Sequence, residues 1–321
     1  MSMRQRGFTL IELLVVLAIL AALSLVAVRS MTGLQDQGHF DQTQRALVEA
    51  QDAILGSTSR WSEQPYAPGF LSDIGRLPSP NADPDRQLIE LWQVPPGLAT
   101  SHIARDESPN ADSDIRLAVG WRGPYIQLPV GDDKLKDGHG NPLQVETDSP
   151  SNPTHWRLLS LGADGKPNGQ GYDEDLRLGL LDENVDRIQS DLAGTVTVTA
   201  APPTGSKWQV RVFAYIPDPT TGNLTHIHVT AIPEGDGTQT PGPNPNPNPN
   251  PNPNPNPNPP SSEPPFLFRY AFPNHALTPG VRALRAYAFV AGQNPRTQGR
   301  KSPVATRVLI PGAQTIDFEV P

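Results

Sequence analysis

The chain starts basic and acid-free, with Arg4 and Arg6 in the first seven residues, and then turns apolar for 21 residues, Phe8 to Val28. Only Thr9, Glu12 and Ser24 interrupt that run. At about 1.5 Å per residue a helix of this length crosses the bilayer core. The basic flank then stays cytoplasmic and the rest of the chain is exported. A cleaved secretory signal would end in small residues, and Ala27-Val28-Arg29 is a poor cleavage site. A plain anchor leaves Glu12 costing about 2.5–3.5 kcal/mol at mid-membrane with no return. A buried core helix would be shorter and less apolar.

Arg4-Gln5-Arg6-Gly7 followed by Phe8-Thr9-Leu10-Ile11-Glu12 resembles the type IV prepilin leader. The resemblance implies that a prepilin peptidase cuts after Gly7, that Phe8 becomes an N-methylated terminus, and that Glu12 serves assembly. A carboxylate in lipid is stable beside a cation, and a neighbouring subunit's terminal ammonium supplies one, which fixes axial register. Arg29 stands where major subunits of that family often carry proline.

Beyond the apolar run, Phe40, Leu47, Ala50 and Ile54 recur on one face of a 3.6-residue period. The helix is therefore expected to cover 8–58, with 8–28 in the membrane and 1–7 as leader. Gly33 and Gly38 weaken its middle by roughly 1 kcal/mol each. Residues 59–190 are rich in turns and carry three motifs in order: Trp121-Arg122-Gly123-Pro124-Tyr125, Asp137-Gly138-His139-Gly140-Asn141-Pro142, and Ser160-Leu161-Gly162-Ala163-Asp164-Gly165. This succession resembles the globular domain of the major (G-type) pseudopilin of type II secretion systems, over about residues 1–185. His139 takes the place of a usual aromatic residue. The resemblance implies a small domain with a short antiparallel sheet.

Residues 164–175 place four acids among glycines. Calcium takes six to eight oxygen ligands, several from backbone carbonyls that glycine turns can aim inward. The spacing is loosely that of an EF-hand loop, but Lys166 and Pro167 depart from it. The family resemblance implies a structural calcium site here. Asp164 and Asp175 match the family acids best, Asp173 is a second candidate, and the Leu161 carbonyl is the backbone ligand. Read without the resemblance, the segment is a solvated acidic turn.

After about residue 190 the apolar period becomes two, in seven runs: 194–200, 208–216, 224–232, 266–272, 282–291, 304–310 and 314–320. Seven short strands predict an antiparallel immunoglobulin-like β-sandwich over 191–321. Thr278 to Leu284 resembles the strand-entry turn of transthyretin-like sandwiches, which implies fold alone. Proline reaches 38 of 321 residues, and much of the excess lies in the Asn-Pro repeat from Pro241 to Pro260. Alternate prolines forbid helix and strand, so 237–265 is expected as a disordered, polyproline-like loop of up to about 60 Å. It is placed inside the sandwich, because three strands before it are too few to close a domain.

Several functions are excluded or unsupported. A net charge of −8 gives no broad attraction for nucleic acid. The absence of cysteine removes thiolate metal sites and cysteine nucleophiles. Gly-x-Ser-x-Gly and His-Glu-x-x-His are absent. His226 and His228 share a strand face and read as surface residues opposite a core of Ile227, Val229 and Ala231. Arg282, Arg285, Arg296, Arg300, Lys301 and Arg307 read as a solvated basic face. The whole describes an α+β, non-enzymatic structural subunit. It is expected in the inner membrane, single-pass, with a periplasmic ectodomain, and to assemble into a periplasmic or surface filament. Its expected partners are other pilin or pseudopilin subunits, prepilin peptidase and an inner-membrane assembly platform. The alternative is a minor pilin whose C-terminal sandwich binds a ligand or adheres.

Overall fold

The computed structural model describes residues 10–56, 68–81, 83–106, 114–149, 153–183, 185–234, 264–273 and 276–321. The leader with Gly7 and Phe8, and nearly all of 237–265, lie outside the described residues.

Helix α1 (Leu10–Leu55) runs unbroken for 46 residues, through Gly33 and Gly38. It ends at Gly56, slightly before the expected 58, where φ is +83° and the Gly56 N–H closes on Asp52 O. Its two ends differ in what covers them. Residues 10–24 are all exposed, while Leu47, Ala50, Ala53, Ile54 and Leu55 are buried. Among the described residues no helix is long and apolar enough to cross a membrane.

The buried end of α1 packs on a short helix, α2 (Phe70–Ile74), and on a sheet of four strands. These are β3 (Gln144–Thr147), β4 (Trp156–Ser160), β5 (Leu176–Asp182) and β6 (Val185–Asp186), antiparallel in the order β3-β4-β5-β6. Ile54, Phe70, Leu71, Trp156, Leu158 and Leu180 form the centre of this core. A separate antiparallel ribbon, β1 (His102–Arg105) with β2 (Arg116–Val119), precedes the sheet in the chain.

Among the described residues the second half holds nine strands and one short helix, α3 (Pro295–Gln298). The strands are β7 (Ser190–Val198), β8 (Gln209–Pro217), β9 (Leu224–Pro233), β10 (Phe266–Ala271) and β11 (Gly280–Phe289). Then come β12 (Arg300–Lys301), β13 (Ala305–Leu309), β14 (Gly312–Thr315) and β15 (Phe318–Val320). The alternation foreseen for Val210, Val212 and Ala214, and for Ile316, Phe318 and Val320, faces one common core. Two expectations differ. Hydrogen bonds join the strands in one path, β12-β11-β8-β9-β10-β7-β14, instead of two separate sheets. Residues from both ends of that path share the core, so the sheet folds over on itself. In addition, β14 and β15 pair with β7 in parallel, not antiparallel. Gly194 permits this pairing, because a Cβ there would stand 2.0 Å from Ile316 O. Between the two parallel strands the Asp317 carboxylate replaces a backbone acceptor and takes the Thr195 N–H at 2.8 Å.

Strands β9 and β10 are hydrogen-bonded neighbours although the proline-rich segment separates them in sequence. The base is closed by Glu234 N–H to Leu267 O at 2.7 Å and by an Arg269–Glu234 ion pair.

The two halves are docked through α2. Arg282, 1% exposed, donates to Ser72 O at 3.0 Å, to Pro279 O at 3.0 Å and to Thr278 Oγ1 at 2.7 Å. Gly280, at φ +129°, leaves no room for a Cβ, which would lie 2.2 Å from Ser72 Oγ. Ala99 N–H donates to Thr221 O, and Arg76 Nε to Pro219 O. The expected solvated basic face is thus corrected in part. Arg282 and Arg285 are buried, the second donating to Ser302 O, and Arg296 pairs with Asp106. A guanidinium offers five donors in a fork, and strand ends and turns supply carbonyls that need them.

Candidate functional site

The acidic loop joins β4 to β5 and is tied down from two sides. Buried Asp137 accepts the N–H groups of His139 and Asn141 through Oδ1 and the Ser160 hydroxyl through Oδ2 at 2.6 Å. Asn141 Nδ2 then donates to Gly162 O at 2.8 Å. This turn is itself fastened to α1: His39 Nδ1–H donates to Gly138 O, and Gly138 N–H donates to Thr43 Oγ1. At the loop's far end Tyr172 meets Phe40 edge-to-face at 6.4 Å. The Asp-x-x-Gly-Asn-Pro and Ser-Leu-Gly-Ala-Asp-Gly motifs are therefore one clasp, holding the loop against the helix.

Within the loop, Ala163 N–H donates to Tyr172 O at 2.9 Å and brings the two arms together. Gly162, at φ +66°, lies so close to Asp173 that a Cβ would be 2.6 Å from its carbonyl oxygen. The predicted ligands stand in different environments. Asp164 is exposed, and its Oδ1 accepts the Lys166 N–H at 3.0 Å. Asp173 is exposed at the end of a short 3₁₀ turn. Leu161 is buried. Asp175 has a side chain only 3% exposed; its Oδ2 meets Arg177 at 3.0 Å and the Asn168 N–H at 3.2 Å, while its Oδ1 has no hydrogen-bond partner. The donors are all oxygen, which suits a hard cation, and one buried carboxylate oxygen is unsatisfied. The three carboxylates are not gathered, and among the described residues no group of three His, Asp or Glu is placed to hold a metal.

Glu12 lies in the first turn of α1, exposed among apolar neighbours. Gly7 and Phe8 are outside the described residues.

Sequence reasoning missed a buried polar cluster. Asp73 on α2 has a fully buried carboxylate, gripped at both oxygens by Arg122 and reached by the Tyr125 hydroxyl at 3.0 Å. Burial pushes the Asp73 carboxyl up, against the pull of Arg122, and pushes the Tyr125 phenol up strongly. Trp121 Nε1–H donates to Glu90 O at 2.8 Å. The Trp-Arg-Gly-Pro-Tyr motif is a clamp on α2 and on the 3₁₀ turn at Ile89–Leu91 that follows it. His226 and His228 lie on the face opposite Ile227, Val229 and Ala231, as expected, His226 half-buried and His228 exposed. Both rings lie against Phe213, at 5.4 and 4.9 Å. Burial lowers the pKa of each, and for His228 the nearby Arg211 lowers it further.

The family described as "Prokaryotic N-terminal methylation motif" matches residues 2–28. The type II secretion system core protein G of Xanthomonas campestris pv. campestris is 26% identical over 173 residues, covering 54% of this chain and 89% of that protein. No solved structure matches the chain. A methylation-type leader that opens a long helix, continued by a domain similar to core protein G, makes the first half of the chain pseudopilin-like.

Proposed function

We propose that the protein is a structural subunit of a type II secretion pseudopilus or a type IV pilus-like filament. It is made as a precursor that prepilin peptidase cuts after Gly7, and Phe8 is then methylated. Residues 8–28 cross the inner membrane once and the remainder is periplasmic. Assembly extracts the subunit at an inner-membrane platform and packs α1 against neighbouring copies, with Glu12 setting the register. The observation that carries this is the leader match over residues 2–28, which includes the exposed apolar surface of residues 10–24. A helix apolar on all sides needs lipid or other helices around it. Division into domains at about residue 190 belongs to the same proposal. It is supported by separate hydrophobic clusters on either side.

The acidic loop is a structural calcium site in this proposal, formed by Asp164, Asp173, Asp175 and the Leu161 carbonyl. Bound calcium would supply the positive charge that lets these oxygens sit together. The unsatisfied Asp175 Oδ1 supports it. The central test is mass spectrometry of the membrane-extracted protein. The mature form should begin at methylated Phe8, and replacing Gly7 with a bulky residue should leave a precursor seven residues longer. An unprocessed wild-type terminus overturns the filament proposal. Glu12→Val should be inserted and cleaved normally yet assemble poorly, and normal assembly would remove Glu12 from the register role.

A further inference from the structure

The ribbon β1–β2 carries an unused strand edge beside the second half of the molecule. Its inner face is spent: Ala104, Leu117 and Val119 pack together against Leu224 and Val281. Its hydrogen bonds are spent on one side only, where β1 pairs with β2 from His102↔Val119 to Arg105↔Arg116. Strand β9 is similar. It bonds β8 along Leu224 to Ala231, but reaches β10 only at Ile232 and Pro233. Among the described residues, the early part of β9 therefore also has one edge without a strand neighbour. The two edges are tethered by the Ala99–Thr221 hydrogen bond. Beyond it lies a groove of about 690 Å³, walled by residues 102–106 on one side and 223–226 on the other. Exposed backbone donors and acceptors at a strand edge are a template for another strand.

The side chains at this edge say what kind of strand fits. Arg105 and Arg116 stand directly opposite each other across the ribbon, both exposed. Among the described residues neither has an acidic partner, and like charges directly opposite destabilise a pair of strands. The neighbouring acid, Asp106, is taken by Arg296. His102 and His226 line the groove and add no negative charge. Ile103, 71% exposed, shares the outer face of the ribbon with Arg105. An incoming strand that places an apolar residue beside Ile103 puts its residue two positions along beside Arg105.

We infer that β1 is a docking edge for an extended acidic segment of a partner protein, which adds as a strand in this groove with a carboxylate against Arg105. The inference goes beyond the filament proposal and does not depend on leader processing. It also gives a use to the like-charged pair, whose repulsion the added carboxylate relieves.

The test uses full-length protein in detergent and a fluorescent peptide, Thr-Val-Thr-Glu-Thr-Val-Thr, followed by anisotropy. Two control peptides carry Lys in place of Glu, or N-methyl groups along the backbone. The Glu peptide should bind saturably. The Lys peptide and the N-methylated peptide should bind at least about tenfold more weakly, since each removes one half of the recognition. Arg105→Glu, at an exposed position that leaves the fold intact, should reverse the preference so that the Lys peptide binds better. An absence of saturable binding, or a preference unchanged in Arg105→Glu, overturns the inference. So does self-association through this edge, seen as a fall in oligomer size in Arg105→Glu without peptide binding.

Discussion

In the region packed on α1 the buried charged groups among the described residues are acids: Asp73, Asp137 and Asp175. In the β7–β15 region they are arginines, Arg282 and Arg285. The contrast follows from what each architecture leaves unsatisfied. The first region is built from turns, and turns expose N–H groups that carboxylates can accept, as Asp137 does for His139 and Asn141. The second is a sheet whose strand ends and turns expose carbonyls, and guanidinium groups donate to them, as Arg282 does to Pro279 and Arg285 to Ser302. The two kinds of burial meet at α2. Asp73 is held by Arg122 from its own region and feels the charge of Arg282 from the other.

The largest expected effect tests the acidic side. Arg122→Ala leaves the Asp73 carboxylate buried without its bidentate partner, which costs about 3–5 kcal/mol. A thermal melt of the full-length protein in detergent should drop by on the order of 10 °C. An unchanged melt would mean that Asp73 is not held as an ion. Arg282→Leu tests the junction. It strands the Ser72 and Pro279 carbonyls, at about 1–3 kcal/mol each, and should lower the unfolding of both regions together. If hydrogen exchange quickens only in β7–β15, the regions are neighbours without energetic coupling.

Calcium distinguishes the regions next. At about 100-fold above its Kd the ion should stabilise the α1-packed region by about 2.7 kcal/mol. The shift should vanish with chelator, in Asp164→Ala and in Asp175→Asn. Identical melts with and without the ion return the loop to a hydrated acidic turn. Acid should then act on the β region. His226 and His228 have lowered pKa values in the fold, so below the ordinary value of 6.5 the unfolded chain binds protons first. Their contribution is complete above pH 6.5 and is lost as pH falls through the folded values. His226→Gln with His228→Gln should flatten that slope, and an unaltered slope would place the titration elsewhere. Asp73 works in the opposite sense, because its raised pKa favours the protonated fold. The smallest effect is expected from excising 237–262. Because Glu234 closes on Leu267 and Arg269, stability should hold or rise by about 1 kcal/mol. A loss of folding would show that the segment is part of the core.

Local pattern made much of this readable. The faces of α1, the clasp motifs and the inward residues of β8 and β15 follow from period and turn chemistry. Alternation, however, reports which face is buried and not which strand is the neighbour. The parallel return of β14 and β15 to β7 therefore had no signal beyond Gly194, whose need is visible only once Ile316 lies against it. Asp73, Arg122 and Tyr125 lie 49 and 52 residues apart, and Ser72 and Arg282 lie 210 apart. Each carries the composition of an ordinary surface residue until the partner arrives. The loop acids showed the converse: their spacing was plain, but only the structure sets Asp175 apart as the buried one.

The closed base of β9 and β10 has a consequence for how the chain can change over generations. A tandem Asn-Pro repeat is encoded by repetitive DNA, whose copy number drifts when replication slips. At most places in a fold a changed copy number would shift strand register and be lost. Here the two strands meet whatever separates them in sequence, and lengthening the excursion costs only about 0.6 kcal/mol per doubling. The repeat count is thereby released from selection on folding, and chains that differ in it should keep one architecture.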